Sequence, residues 1–202
     1  LDFGEYASDG ECIIPLYQKY GTEFIKHLDG EFAVVVADFS EDMLIISTDI
    51  FSTKPLWFAK HDLEWAVSSY KSCIERLGFE ECTQVEANST YILKMSNLEL
   101  IDRKDVYTFD LEQKKDSYDD WESAFSEAIS KRTRNIKHGI FIGLSSGYDS
   151  GAIACELERQ KIPFTAYSII GSENPDTIEA RINRTKDPVR IQLEHEEFLL
   201  AR

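Results

Sequence analysis

Six consecutive residues hold the densest set of groups able to do chemistry: Ser145-Ser146-Gly147-Tyr148-Asp149-Ser150. Three serine hydroxyls and a glycine lie just ahead of a stretch with helical periodicity. The first N–H groups of a helix lack internal partners, and the helix dipole is positive there. Hydroxyls and a flexible glycine added to that end make a nest for phosphate or pyrophosphate. Asp149 is the exception, because a carboxylate repels a phosphate unless a cation lies between them. The pattern therefore predicts Mg²⁺ bridging Asp149 and a phosphate. A second reading of the same residues is a capped helix, with Ser145 or Ser146 as N-cap. Composition alone leaves both open.

The flanking elements decide where such a loop would sit. Ile140 to Leu144 is almost wholly apolar and suits a strand buried on both faces of a parallel sheet. From about Asp149 the pattern is helical. Ile153, Leu157, Ala152, Ala154 and Cys155 are predicted to face a core, and Glu156, Glu158 and Arg159 to face water. Phe164 to Ile170 reads as the next parallel strand, reached by a right-handed crossover. Asp176 to Arg184 reads as a helix and Val189 to Leu193 as a third strand. Ahead of the loop, Tyr118 to Arg132 is amphipathic, with Trp121, Phe125, Ala128 and Ile129 predicted inward beside the Ile140 strand. Ligands in such sheets bind beyond the carboxyl ends of the strands, where Ser145–Ser150 and Ile169–Gly171 fall.

The first half has a different rhythm. Asp9 to Tyr20 is predicted helical, with Pro15 in its first turns and Gly21 as C-cap. Thr22 to Leu28 reads as a second short helix. Hairpins follow: Phe32–Asp38 with Met43–Ser47, Leu56–Ala59 with Trp65–Ser68, and Thr90–Met95 with Glu99–Asp102, with a short helix at Ser69–Leu77. This is an α+β layered domain. The polar, aperiodic Asp105–Asp120 stretch places a boundary near Lys114 to Asp116, giving domains 1–114 and 115–202.

The formal charge of −15 argues against nucleic acid as the partner. The longest apolar runs are too short to span a membrane, and the start shows no secretory signal. The four cysteines lack C-x-x-C spacing and read as reduced thiols of a cytoplasmic protein. The scattered histidines read as structural or surface residues. The chain starts Leu1-Asp2-Phe3, without Met, and Glu194 to Arg202 reads as the start of a helix; both ends are expected to be cut from a longer protein.

The S-x-G-x-D-S spacing after a buried strand resembles the pyrophosphate loop of the N-type ATP pyrophosphatases, written S-G-G-x-D-S. Ser146 replaces the first glycine of the pair, where a Cβ is expected to crowd a phosphate or to resist a positive φ. A second resemblance lies upstream. L-D-G-E-F-A-V-V-V-A-D (Leu28–Asp38), T-D-I-F-S-T-K-P-L-W-F (Thr48–Phe58) and E-W-A-V-S-S-Y-K-S (Glu64–Ser72) are similar in order and spacing to the glutaminase domain of asparagine synthetases. Thr48, Ser52 and Tyr70 stand where that family has Arg, Gly and Glu.

The resemblance implies a partial Ntn-hydrolase-like glutaminase domain followed by a partial parallel-sheet domain of the adenine-nucleotide α-hydrolase type. It implies ATP and Mg²⁺ as cofactors, with ATP, aspartate and glutamine as small-molecule substrates, and a homodimer is the assembly it allows. Leu144, Ser145, Ser146, Gly147, Asp149, Ser150, Ile169 and Gly171 would bind nucleotide, with Asp149 on the metal. Asp9, in the family-like Ser8-Asp9-Gly10-Glu11, would hold the α-amino group of glutamine. The family's N-terminal cysteine, its N-G-E segment, its S-G-E-G-A-D-E segment and its catalytic lysine do not occur here. The 202-residue chain alone is therefore expected to release no glutamate from glutamine.

Overall fold

Val34, Val35 and Val36 sit in a strand whose partner, Leu44-Ile45-Ile46, is buried on both faces. The computed structural model, which describes residues 8–171 and 173–192, divides the chain into two compact units between Glu112 and Gln113. In the first unit, β1 (Ala33–Asp38) and β2 (Met43–Thr48) form an antiparallel hairpin with Ala33 opposite Thr48. The Asp38 carboxylate closes its turn, accepting from the N–H groups of Ser40 and Glu41 at 2.9 and 3.1 Å.

A second hairpin, β3 (Trp57–His61) and β4 (Glu64–Ser68), is followed by α2 (Lys71–Arg76), the two-residue β5 (Thr83–Gln84), β6 (Ser89–Lys94) and β7 (Leu100–Asp105). They form two sheets, ordered β1-β2-β6-β7 and β4-β3-β5. Ile45 points into a core with Val34, Val36, Phe24 and Leu16 of the helical segment; Leu44 and Ile46 point the other way, onto Leu56, Val85 and Leu93. The main sheet is thus sandwiched between a helical layer and the smaller sheet.

The expected Asp9–Tyr20 helix is a 3₁₀ turn, Asp9–Cys12, leading into α1 (Ile13–Tyr20). Pro15 has no N–H to give Glu11, so a regular α-helix cannot run through that turn. Gly21 ends α1 at φ 55°, its N–H on the Tyr17 carbonyl. The predicted helix after it is a 3₁₀ stretch, Gly21–His27. Leu1–Phe3 and the helix start expected at Glu194–Arg202 lie outside the described residues.

After β2 the chain turns at Asp49–Ser52, where the Ser52 N–H donates to the Asp49 carbonyl at 3.1 Å. Ser52 adopts φ 50°, and its buried hydroxyl has no hydrogen-bond partner among the described residues. A left-handed serine costs about 1 kcal/mol or more. The orphan hydroxyl adds to that, and glycine's extra unfolded-state entropy subtracts about 0.5–1 kcal/mol. Ser52→Gly is therefore expected to stabilise this unit by about 1 kcal/mol. A thermal melt read by tryptophan fluorescence should rise by about 4 °C; an unchanged or lower midpoint would refute the strain argument.

The second unit contains α3 (Asp119–Thr133), β8 (Phe141–Gly143), α4 (Tyr148–Arg159), β9 (Thr165–Ile170), α5 (Pro175–Arg184) and β10 (Pro188–Gln192). The three strands are parallel, in the order β10-β9-β8. Leu144, Ala154, Ala166, Ile178 and Ile182 make the core on one sheet face, and Ile178 and Ile182 lie one turn apart on α5.

Expectations for β8, α3 and α4 are corrected here. β8 is not buried on both faces, because Phe141 is 73% exposed; among the described residues β8 pairs on one edge only, with β9. Trp121 is 61% exposed, stacked on Phe125, while Ile129 is the buried residue of α3. The helix is held to α4 by polar bonds instead, Gln160 to the Ser126 carbonyl (2.8 Å) and Arg159 to its hydroxyl (2.8 Å). Glu156 is buried where water was expected, because Arg159 and Gln160 fold back onto its carboxylate at 2.6–2.7 Å; Ala152 and Cys155 are exposed. Those bonds hold the Glu156 carboxyl down to about 2.

Candidate functional site

The loop between β8 and α4 is closed by its own serines. The Ser145 N–H donates to Ser150 Oγ at 3.1 Å, and the two hydroxyls lie 2.8 Å apart. The Gly147 N–H donates to Ser145 Oγ at 3.1 Å, and Ser150 Oγ donates to the Gly147 carbonyl at 3.3 Å. Gly147 is the N-cap of α4, with no side-chain cap, so the alternative reading of Ser145 or Ser146 as N-cap is not the geometry found. A Cβ on Gly147 would meet Ser145 Oγ at 3.2 Å, which explains a glycine there.

Ser146 is not among the residues with positive φ. The expected strain of a Cβ at this position is therefore absent. Its N–H and its hydroxyl both point out of the loop and both donate to one oxygen, Glu173 Oε2, the N–H at 2.6 Å. The Ser146 hydroxyl, its N–H and the nearby Arg181 charge hold the Glu173 carboxyl below the usual glutamate range. From the other side Arg181 Nη1 donates to the carbonyls of Ser145 and Gly147, each at 2.5 Å. Its guanidinium lies where a Cβ on Gly151 would stand, 2.7 Å away. Gly151 thus makes room for the arginine under the first turn of α4.

Glu173 and Arg181 were not anticipated from the sequence. A signal existed: Asn174 caps α5 by accepting the Thr177 N–H at 3.0 Å, with Pro175 next. That Asn-Pro start sits just beyond the carboxyl end of β9, beside the loop that leaves β8.

The other predicted positions are distributed as follows. Asp149 lies in the first turn of α4 and is exposed. Leu144 is buried, with its side chain in the core and its N–H on the Tyr167 carbonyl at 2.8 Å; that N–H is therefore not available to a nucleotide. Ile169 lies inside β9 opposite Ile191, and Gly171 is exposed just after the strand. Asp9 opens the 3₁₀ turn before α1, and its side chain lies outside the described residues. Thr48 is fully buried and donates to the Glu86 carbonyl at 2.7 Å, so this position offers no cation. Tyr70 is exposed at the start of α2.

Among the described residues no group of three or more His, Cys, Asp or Glu side chains is arranged to hold a metal. No helix among them is long and apolar enough to cross a membrane.

Comparison with known proteins bears on the first unit most directly. Residues 3–76 match the family described as "Glutamine amidotransferase domain". Relatives of the chain include asparagine synthetases: a putative glutamine-hydrolysing asparagine synthetase of Methanocaldococcus jannaschii is 28% identical over 190 residues, 85% of this chain and 34% of that protein. One from Mycobacterium bovis is 37% identical over 76 residues, 36% of this chain and 12% of that protein. Amidase chry2 of Gibberella zeae is 37% identical over 73 residues, 36% of this chain and 11% of that protein. The matches thus span about a third or less of the length of these relatives.

Proposed function

We propose that the chain is part of a glutamine-hydrolysing asparagine synthase. In this reading glutamine is hydrolysed in the first unit. In the second, ATP activates the side-chain carboxylate of aspartate with release of pyrophosphate, and ammonia attacks the acyl adenylate to give asparagine and AMP. The observation that carries the nucleotide half is the Glu173 carboxylate seated on the Ser146 N–H and hydroxyl at the start of α4. It supports a cradle whose donors suit an anion. Asp149 is a single exposed carboxylate, which fits Mg²⁺ held between it and phosphate oxygens, not in an all-protein site. Bound there, the ion would neutralise charge on the departing pyrophosphate. Ser145, Gly147 and Ser150 keep the loop shape; Ser146 donates to the anion.

Aspartate and glutamine are the further substrates, the compartment is the cytoplasm and the assembly a homodimer. The charge of −15 supports small-molecule substrates over nucleic acid. A second reading keeps the frame and changes the acceptor, an amide- or lactam-forming synthetase, and the amidase relative favours keeping it in view. A third, a non-catalytic nucleotide-binding homologue, rests on the buried Thr48. ATP–pyrophosphate exchange, measured on protein of the relatives' full length with aspartate and with other carboxylic acids, separates them. Exchange that depends on aspartate is expected. Exchange with another acid alone moves the assignment to the second reading, and none with any acid to the third.

A further inference from the structure

We propose that Glu173 is a built-in competitor for the anion cradle: its carboxylate holds the place of a diphosphate oxygen on Ser146 and has to leave before a diphosphate is seated. The inference rests on the proposed nucleotide reading of the loop and adds a gate to it.

The geometry is that of an anion mimic. One oxygen, Oε2, takes both outward donors of Ser146, the N–H at 2.6 Å and the hydroxyl. These are charge-assisted bonds, stronger than neutral ones. They lie at the positive end of α4, where any negative group gains from the dipole. Two anions cannot share two donors, so a phosphate oxygen and Glu173 exclude each other.

The segment is built to release as well as to hold. Glu173 is partly exposed, so its carboxylate can rotate into water without crossing the core. Its neighbour Asn174 touches the same serine, its N–H 3.3 Å from Ser146 Oγ. Arg181, two turns along α5, independently binds the carbonyls of Ser145 and Gly147 at 2.5 Å. The loop therefore has a second anchor that stays in place when the carboxylate departs, and the Ser145–Ser150 bonds supply a third.

A purely structural role for Glu173 makes the opposite prediction. If it is a clamp that shapes the loop, removing its charge leaves anion affinity unchanged or lowers it. If it is a competitor, removing its charge raises affinity. Titration of the 202-residue chain with magnesium pyrophosphate, followed by isothermal calorimetry, is compared for wild type, Glu173→Gln and Glu173→Ala. About tenfold tighter binding by Glu173→Gln is expected, with Glu173→Ala at least equal to it. Circular dichroism melts verify that each variant folds, and Ala carries the test if Gln does not. Binding by wild type and variants with equal affinity, or weaker binding by the variants, overturns the gate and leaves the cradle standing. No binding by any of the three at millimolar pyrophosphate overturns the cradle, and the gate with it.

Discussion

Asp49→Ala is expected to cost the first unit about 3 kcal/mol or more, a large share of the marginal stability of a domain. Asp49 is 4% exposed and sits at the turn that leaves β2. Its Oδ1 accepts from the N–H groups of Phe51 (3.0 Å) and Thr53 (3.2 Å). Its Oδ2 accepts from the Phe32 N–H (3.1 Å) and the Thr53 hydroxyl (2.5 Å). Alanine strands three N–H groups and a hydroxyl in a place water reaches poorly. It also loosens the backbone that binds Phe32, Ser52 and Asn88 through the Asp49 main chain.

Asp49→Asn should fall between the two. An amide keeps one acceptor for Phe51 and Thr53 but turns an NH₂ towards the Phe32 N–H. Urea unfolding, read by tryptophan fluorescence, gives the order wild type, Asn, Ala; Asn equal to wild type would show that charge and acceptor count do not matter there.

Acid should narrow that gap. Burial alone would raise the Asp49 carboxyl, but the Thr53 hydroxyl and the N–H groups of Phe51, Thr53 and Phe32 outweigh it and hold it below the ordinary value. A folded value below the unfolded one means the contribution is complete above about pH 4 and lost as pH falls through the folded value. The wild-type advantage over Asp49→Asn is thus expected to shrink below pH 4.

What could be read from residue order, and what could not, divides by distance along the chain. Val34–Val36 and Leu44–Ile46 announce a hairpin because neighbours in sequence are neighbours in the sheet. The S-x-G-x-D-S loop was legible for the same reason, since Ser145, Gly147 and Ser150 bond one another within six residues. Glu173 and Arg181 reach that loop from 27 and 34–36 residues away, and no periodicity encodes such contacts.

Charge misled at Glu156. A carboxylate on a helix reads as solvent-facing, but Arg159 and Gln160, one turn on, supply it with partners and let it be buried. Hydrophobicity misled at Trp121, which covers Phe125 and not a core. The polar interior of β2, where Ser47 donates to the Ser89 carbonyl and meets Thr90 Oγ1 at 2.8 Å, depends on a strand more than forty residues later.

Asp149→Asn is expected to abolish ATP–pyrophosphate exchange in protein of the relatives' full length while leaving the fold intact. The two halves of that expectation have separate grounds. Among the described residues the bonds that shape the loop run through Ser145, Gly147, Ser150, Glu173 and Arg181, and none of them uses the Asp149 carboxylate. Asparagine has nearly the same volume at an exposed site, so unfolding should shift by no more than about 0.5 kcal/mol. Chemistry is more exacting. In the proposed reading a neutral amide would be a poor ligand for Mg²⁺, and the charge of the pyrophosphate would lack its counter-ion. Loss of one such electrostatic contact costs about 10²–10³-fold in rate. The readout is exchange beside a thermal melt of the same preparation. Unimpaired exchange would remove Asp149 from the metal. A collapsed melt would place it in the scaffold, and lost exchange with an unchanged melt is the outcome that the proposed charge at the phosphates predicts.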